Sequence, residues 1–233
     1  MKNKTVILDV DDIILKFIEG FNRYLVTVRA DIKIKPHYLP KVWGFTELGD
    51  ISKEINEYIN TYADGGQISC DGVKISFGKL YDGAADFTNK IKEMGHDVVL
   101  LTAHPSHRII ERINNLKSQG LKFDHIYCTA AHDADGNKVY HSKSDFIEAL
   151  GYTDENFLFA DDKAATIMEM LGRFKNADLF TLDRDYNKEA LVESANLFDE
   201  DRERLNIIPG GNNIMPSNQI ALLYEQILQK LEK

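Results

Sequence analysis

Thr5-Val-Ile-Leu-Asp-Val-Asp-Asp-Ile-Ile-Leu-Lys-Phe17 is the stretch on which the reading of this chain turns. Its first four residues, Thr5 to Leu8, are all β-branched or apolar, the pattern of a strand buried on both faces in a parallel sheet covered by helices. Asp9, Asp11 and Asp12 follow directly. Three carboxylates at the carboxyl end of a buried strand repel one another, so a compensating cation is expected there, with Mg²⁺ the leading candidate. The plainer reading is a solvated acidic turn. If the strand's alternation breaks at its end, Asp9 and Asp11 point into one crevice, and open α/β sheets bind ligands in such crevices.

Outward from this stretch the pattern alternates regularly. Phe87, Ile91 and Met94 form a helix face ending at Gly95, and Val98 to Leu101 is a second buried strand ending at Thr102. Pro105 opens a helix with Ile109, Ile110, Ile113 and Leu116 on its apolar face. Asp124 to Cys128 is the third strand, and a polar loop from Ala131 to His141 leads to Ser142, the N-cap of a helix carrying Phe146, Ile147 and Leu150. Phe157 to Ala160 is a fourth strand followed by Asp161 and Asp162, and Asp178 to Leu182 a fifth after a helix through Ile167, Met168 and Leu171. Strands alternating with helices in this way predict an α/β fold with a doubly wound parallel sheet.

The expected organisation is a core of residues 1–17 and 79–190, a small, mainly helical cap inserted at 18–78, and a C-terminal helical extension at 191–233. The insertion carries helical patterns through Phe17, Phe21, Tyr24 and Leu25 and through Ile51, Ile55, Tyr58, Ile59 and Tyr62, with an irregular stretch around Pro36, Pro40 and Trp43 between them. In the extension, Leu191 to Leu205 reads as one irregular helix. Ser217 reads as the cap of a terminal helix with Ile220, Leu223, Tyr224, Ile227 and Leu231 on one face, packed on the core or on a second subunit of a homodimer.

Composition narrows the function. With 233 residues, 43% of them hydrophobic and 28% charged, the chain suits a soluble globular protein rather than a disordered one. A net charge of −9 argues against a sequence-independent grip on nucleic acid. No apolar run approaches the ~20 residues of a membrane span, and the acidic cluster arrives too early for a signal peptide. Two cysteines, Cys70 and Cys128, argue against a disulfide framework as the basis of the fold, so the expected location is the cytoplasm.

The polar groups at the strand ends carry the chemistry. Asp9 and Asp11, Thr102, Lys143 at a helix start, and Asp161 with Asp162 all fall where successive right-handed crossovers bring strand ends to one edge. Singly each has a bland reading: a helix N-cap for Thr102, a surface lysine for Lys143, a helix-dipole partner for the acidic pair. As an ordered set they resemble the haloacid dehalogenase (HAD) superfamily of phosphotransferases, over roughly residues 4 to 187.

The resemblance implies roles. Asp9 would be the nucleophile that forms an aspartyl-phosphate, and Asp11 the general acid and base. Thr102, Ala103 and Lys143 would bind the substrate phosphate. Asp9, Asp11 through its backbone carbonyl, and Asp161 would hold Mg²⁺, with Asp162 supporting them. Position 12, often Gly in that family, is Asp here, and position 13, often Thr, is Ile. The insertion and the Tyr186-Asn187 pair after the fifth strand resemble, more narrowly, the 5'(3')-deoxyribonucleotidases, which implies a nucleoside monophosphate as the small phosphorylated substrate.

Phe17 and Trp43 are then candidates to stack on a base, although aromatics in a small cap also form its core. His104 and His107 read as surface residues at a helix start. The rival readings are the same chemistry on another phosphate ester such as a sugar phosphate, a phospho-accepting regulatory domain, and a non-catalytic binding protein. A receiver-type domain places its acceptor Asp after the third strand, where this chain has Thr129.

Overall fold

The structure is a computed structural model that describes residues 3–42, 45–132, 138–140, 142–152, 157–194, 197, 199–210 and 215–232. From β1 (Thr5–Asp9) the chain enters α1 (Phe17–Val28) and α2 (Ser52–Glu57), a turn of π-helix at Tyr58–Tyr62, and an antiparallel hairpin of β2 (Gln67–Cys70) and β3 (Val73–Ser76). It continues through α3 (Ala84–Glu93), β4 (Asp97–Pro105), α4 (Ile109–Ser118), β5 (His125–His132), β6 (Lys138–Tyr140), α5 (Lys143–Ala149) and β7 (Phe157–Ala160). It closes with α6 (Ala164–Arg173), β8 (Asp178–Leu182), α7 (Lys188–Ser194), α8 (Asp199–Arg204), β9 (Leu205–Ile208) and α9 (Pro216–Leu231).

The main sheet runs in the order β6-β5-β4-β1-β7-β8-β9, parallel except for β6. This is an α/β, Rossmann-type, doubly wound fold, and β1 lies at its centre because both faces of Thr5–Leu8 are apolar. Val6 and Leu8 pack with Ile91 of α3, Leu116 of α4 and Ile220, Leu223 and Ile227 of α9. Ile7 faces the other way, with Ile147 of α5 and Ile167 and Met170 of α6. Each of these fully buried aliphatic side chains contributes about 1.5–3 kcal/mol of transfer free energy.

A third cluster lies within the segment between β1 and α3 and is largely aromatic: Phe21, Tyr24, Phe45, Tyr58 and Phe77. Phe77 meets Tyr58 edge-on at 5.7 Å between ring centres. Helix α1 approaches so closely that a Cβ at Gly20 would lie 2.2 Å from the Tyr58 hydroxyl, which explains a glycine inside a helix.

Several sequence expectations change. The stretch read as a mainly helical unit also contains the β2–β3 hairpin, with Gly72 at positive φ in its turn. The region from Ala131 onward is not all loop, since β5 runs to His132 and pairs with β6. Leu191–Leu205 is not one helix. It holds the end of α7 and all of α8, and its last residue begins β9, an edge strand parallel to β8.

The last helix is capped at Met215 with Pro216 in its first turn, so Ser217 is not the cap. That helix packs on this chain's own core: Tyr224 stacks on Phe87 at 4.1 Å and donates a 2.6 Å hydrogen bond to the carbonyl of Ile13. Among the described residues no helix is long and apolar enough to cross a membrane.

Candidate active site

Sheet register assembles the site. Asp9 is paired with Leu101 of β4, so Thr102 stands one residue beyond it, and Leu8 is paired with Ala160 of β7, which places Asp161 beside Asp9. Ser142 caps α5 by accepting from the Asp145 backbone N–H, and this cap delivers Lys143 to the same point. Lys143 Nζ is 2.7 Å from Asp9 Oδ1 and 2.7 Å from Asp161 Oδ2. The Val10 backbone N–H donates to Asp9 Oδ1 at 2.7 Å, and the Lys163 N–H to Asp161 Oδ1 at 2.8 Å.

The acidic pair is supported from behind. Tyr186 Oη donates to Asp162 Oδ2 at 2.7 Å, and Asn187 Nδ2 donates to the Asp162 carbonyl while its Oδ1 accepts from the Ala164 N–H at the start of α6. Asp162 therefore leans on Tyr186. The Tyr-Asn pair has a structural task here, holding the acidic pair and the start of α6.

Between β1 and α1 the backbone turns sharply, with the N–H groups of Ile14 and Leu15 both donating to the Val10 carbonyl. Asp12 occupies the left-handed position of that turn at φ 60°, a conformation Asp tolerates better than most residues and one that explains why glycine suits the position. Its Oδ1 accepts from the Ile18 N–H at 3.2 Å and from Tyr81 Oη at 3.3 Å.

Burial dominates the electrostatics. It pushes the Asp9 carboxyl well above its ordinary range; Lys143 opposes the shift, and Asp161, Asp162 and Asp11 add to it. Asp12 is raised to about 7 by burial, with Arg184 pulling the other way. Asp162 is likewise raised to about 7, by burial and then by the charges of Asp161 and Asp12. Burial disfavours the Lys143 ammonium, but Asp161 and Asp9 outweigh it and hold the group charged.

Carboxylate oxygens of Asp9, Asp161 and Asp162 lie within 4.8 Å of one another. When ionised, these three carboxylates and the nearby Asp12 outnumber the cations that act on them, Lys143 and the buried Arg184. A hard divalent cation with a preference for oxygen fits that charge and that donor set.

Thr102 is buried in β4 just before the register with β5 shifts, and its Oγ1 accepts from the His104 N–H at 3.1 Å, leaving the hydroxyl hydrogen to donate; Ala103 is exposed, and Pro105 ends the strand rather than opening a helix. The Asp11 carboxyl does not join the acidic group but accepts from Arg112 Nη1 at 2.8 Å. Phe17 is half-buried, edge-on to Tyr58 at 5.4 Å, and Trp43 lies outside the described residues.

Residues outside the sequence reading also converge here. His104 is buried rather than at the surface, and with Asp64 it surrounds Arg112. The missed signal was an arginine on an apolar stripe: in α4 the buried residues are Arg112 and Leu116, whereas Ile110, assigned to the core face, is 62% exposed.

No family model matches the sequence, and no curated protein matches it. Solved structures do. One is a predicted phosphatase from Clostridium acetobutylicum, 17% identical over 97% of this chain and 99% of that one, with a TM-score of 0.55. A second such predicted phosphatase, from Clostridium difficile, is 16% identical over 99% and 100% of the two chains with a TM-score of 0.51. A HAD-superfamily hydrolase from Ehrlichia chaffeensis is 16% identical over 84% of this chain and 98% of that one; its TM-score of 0.43 is too low to weigh. At these identities the likeness establishes the shared fold.

Proposed function

We propose that this chain is a Mg²⁺-dependent phosphomonoesterase of the HAD superfamily that works through an aspartyl-phosphate. The observation that carries the reading is the convergence of Asp9, Lys143, Asp161 and Asp162 from separate strand and helix ends into one buried cluster. Asp9 Oδ1 is occupied by Lys143 and the Val10 N–H, which leaves Oδ2 to attack phosphorus. As the new P–O bond forms, the ester P–O bond breaks and the departing oxygen takes a proton from Asp11. Water then attacks the acyl phosphate, giving its proton to Asp11, and inorganic phosphate leaves with Asp9 restored.

Lys143 and Thr102 face the phosphoryl oxygens in this scheme, one with charge and one with a hydrogen bond. Mg²⁺, held by Asp9, Asp161 and Asp162 with the Asp11 backbone carbonyl, supplies neutralisation of the phosphate charge. The substrate is a small phosphorylated molecule. Nucleoside monophosphates, the class implied by the resemblance to the 5'(3')-deoxyribonucleotidases, are the first to test and sugar phosphates the second; Phe21, Tyr24, Phe45, Tyr58 and Phe77 are committed to a core and do not argue for a base. Cys70 and Cys128 are both free, which supports the cytoplasm as the working compartment.

The test is phosphate release from nucleotides, sugar phosphates and p-nitrophenyl phosphate, each with Mg²⁺ and with EDTA. Mg²⁺-dependent release from at least one ester is expected. Silence across the whole panel would overturn the reading, and sugar phosphates outrunning every nucleotide would overturn only the substrate class.

A further inference from the structure

Arg112 has no part in the chemistry above, yet it is among the largest side chains in the molecule to be completely buried. Each of its nitrogens has a separate partner. Nε donates to Asp64 Oδ1 at 2.5 Å, Nη1 to Asp11 Oδ1 at 2.8 Å, and Nη2 contacts His104 Nδ1 at 3.0 Å. Because the guanidinium can only donate, His104 Nδ1 accepts and the imidazole carries its proton on Nε2, which stands 2.7 Å from Asp64 Oδ2. Arg112, Asp64 and His104 thus form one cluster with no exposed polar edge.

The ring joins two parts of the chain. Arg112 belongs to α4, which packs on the sheet, whereas Asp64 follows the π-turn in the segment between β1 and β2. Asp64 cancels the arginine's charge, so Asp11 meets a directed N–H donor that is already balanced. A planar guanidinium bound at three corners cannot turn, and the carboxyl it holds is fixed with it. Asp11 is the one member with appreciable exposure, 22% of its side chain, and it is its Oδ1 that Arg112 holds.

We infer that Arg112 is a positioning residue for the acid–base carboxyl: by holding Asp11 Oδ1 it leaves Oδ2 as the oxygen that exchanges a proton with the leaving group and with water. Asp64 in turn sets Arg112, which ties the segment between β1 and β2 to the reacting centre. This rests on the phosphomonoesterase reading. A purely structural cross-link accounts for Asp64 and His104 but not for a third donor aimed at the carboxyl beside the nucleophile.

The test compares kcat on an alkyl phosphate with kcat on p-nitrophenyl phosphate, whose leaving group needs little protonation. The ratio is independent of how much of a variant is folded. Arg112→Lys, which cannot hold two carboxylates in fixed directions, should lower the ratio about tenfold or more, given that a displacement of ~1 Å can cost ~10²-fold. It should approach the ratio for Asp11→Asn. Asp64→Asn should move it the same way by less, and the double variant Asp64→Asn/Arg112→Lys no further than Arg112→Lys alone, because both act through one group.

If the wild type hydrolyses both esters and neither Arg112→Lys nor Asp64→Asn changes the ratio, Arg112 is structural and the inference falls alone. If Arg112→Lys does not fold, Asp64→Asn decides. If the wild type hydrolyses neither ester, the phosphomonoesterase reading falls and this inference with it.

Discussion

Lys143 and Asp9 form a buried ion pair, Nζ to Oδ1 2.7 Å, in which the ammonium is shared with Asp161 at the same distance. The proposed nucleophile is therefore already compensated before any substrate arrives. Lys143→Met should leave the carboxylates to repel one another in a buried site. Loss of one partner from such a pair costs about 3–5 kcal/mol, to be read as a lower urea midpoint in EDTA at pH 7.5. Turnover should fall by orders of magnitude, and an unchanged urea midpoint would contradict the pairing.

Asp9→Asn separates stability from chemistry. Burial and three neighbouring carboxylates all disfavour the charged form of Asp9, so a nearly isosteric amide should keep or raise the melting temperature without metal. Turnover should drop by several orders of magnitude because the amide cannot form the acyl phosphate. Near-normal phosphate release by the folded variant would remove Asp9 as nucleophile.

Mg²⁺ should stabilise as well as activate. A ligand that binds only the folded state adds about 2.7 kcal/mol at a hundred times its dissociation constant. Melting curves with Mg²⁺ and with EDTA should differ by several degrees, and Asp161→Ala should shrink the difference. Identical curves for the wild type would show that the Asp9, Asp161 and Asp162 cluster holds no metal.

The metal-free protein should lose stability as pH rises. Asp12 and Asp162 have folded-state values raised from the ordinary 3.8 to about 7. Their contribution is therefore complete below about pH 4 and is lost as pH climbs through about 7. For one such group the loss is on the order of 4 kcal/mol, and the two interact, so the sum is smaller than twice that. In EDTA the melting temperature should fall between pH 5 and 7.5 and level off above 8. Asp12→Asn should flatten the curve, and a melting temperature that rises over this range would reverse the assignment.

The strand ends were legible because continuous apolar runs such as Thr5–Leu8 and Phe157–Ala160 stop abruptly at carboxylates, a contrast that survives without tertiary knowledge. Arg112 and Asp64 were not, because an arginine enters a core only when distant carboxylates satisfy it, and nothing local announces them. β9 was hidden for another reason. Leu205-Asn-Ile-Ile208 is short and follows the charged run Asp199–Arg204, so its strand character depends on β8 already being there to pair with. The cap at Ser142 was readable because its hydrogen bond spans three residues, whereas Pro216 in the first turn sets the cap of the last helix at Met215 and leaves Ser217 inside it.

The hydrogen bond from Tyr224 to the carbonyl of Ile13 links the last helix to the turn that shapes the candidate site. Its two partners stand 211 positions apart in the sequence. β1 itself finds its first partner only when β4 has been made, and its second only with β7. The acidic turn is thus held by contacts between residues far apart in the sequence, and the loops that must close before it is fixed make its formation a non-local, slow kind of event.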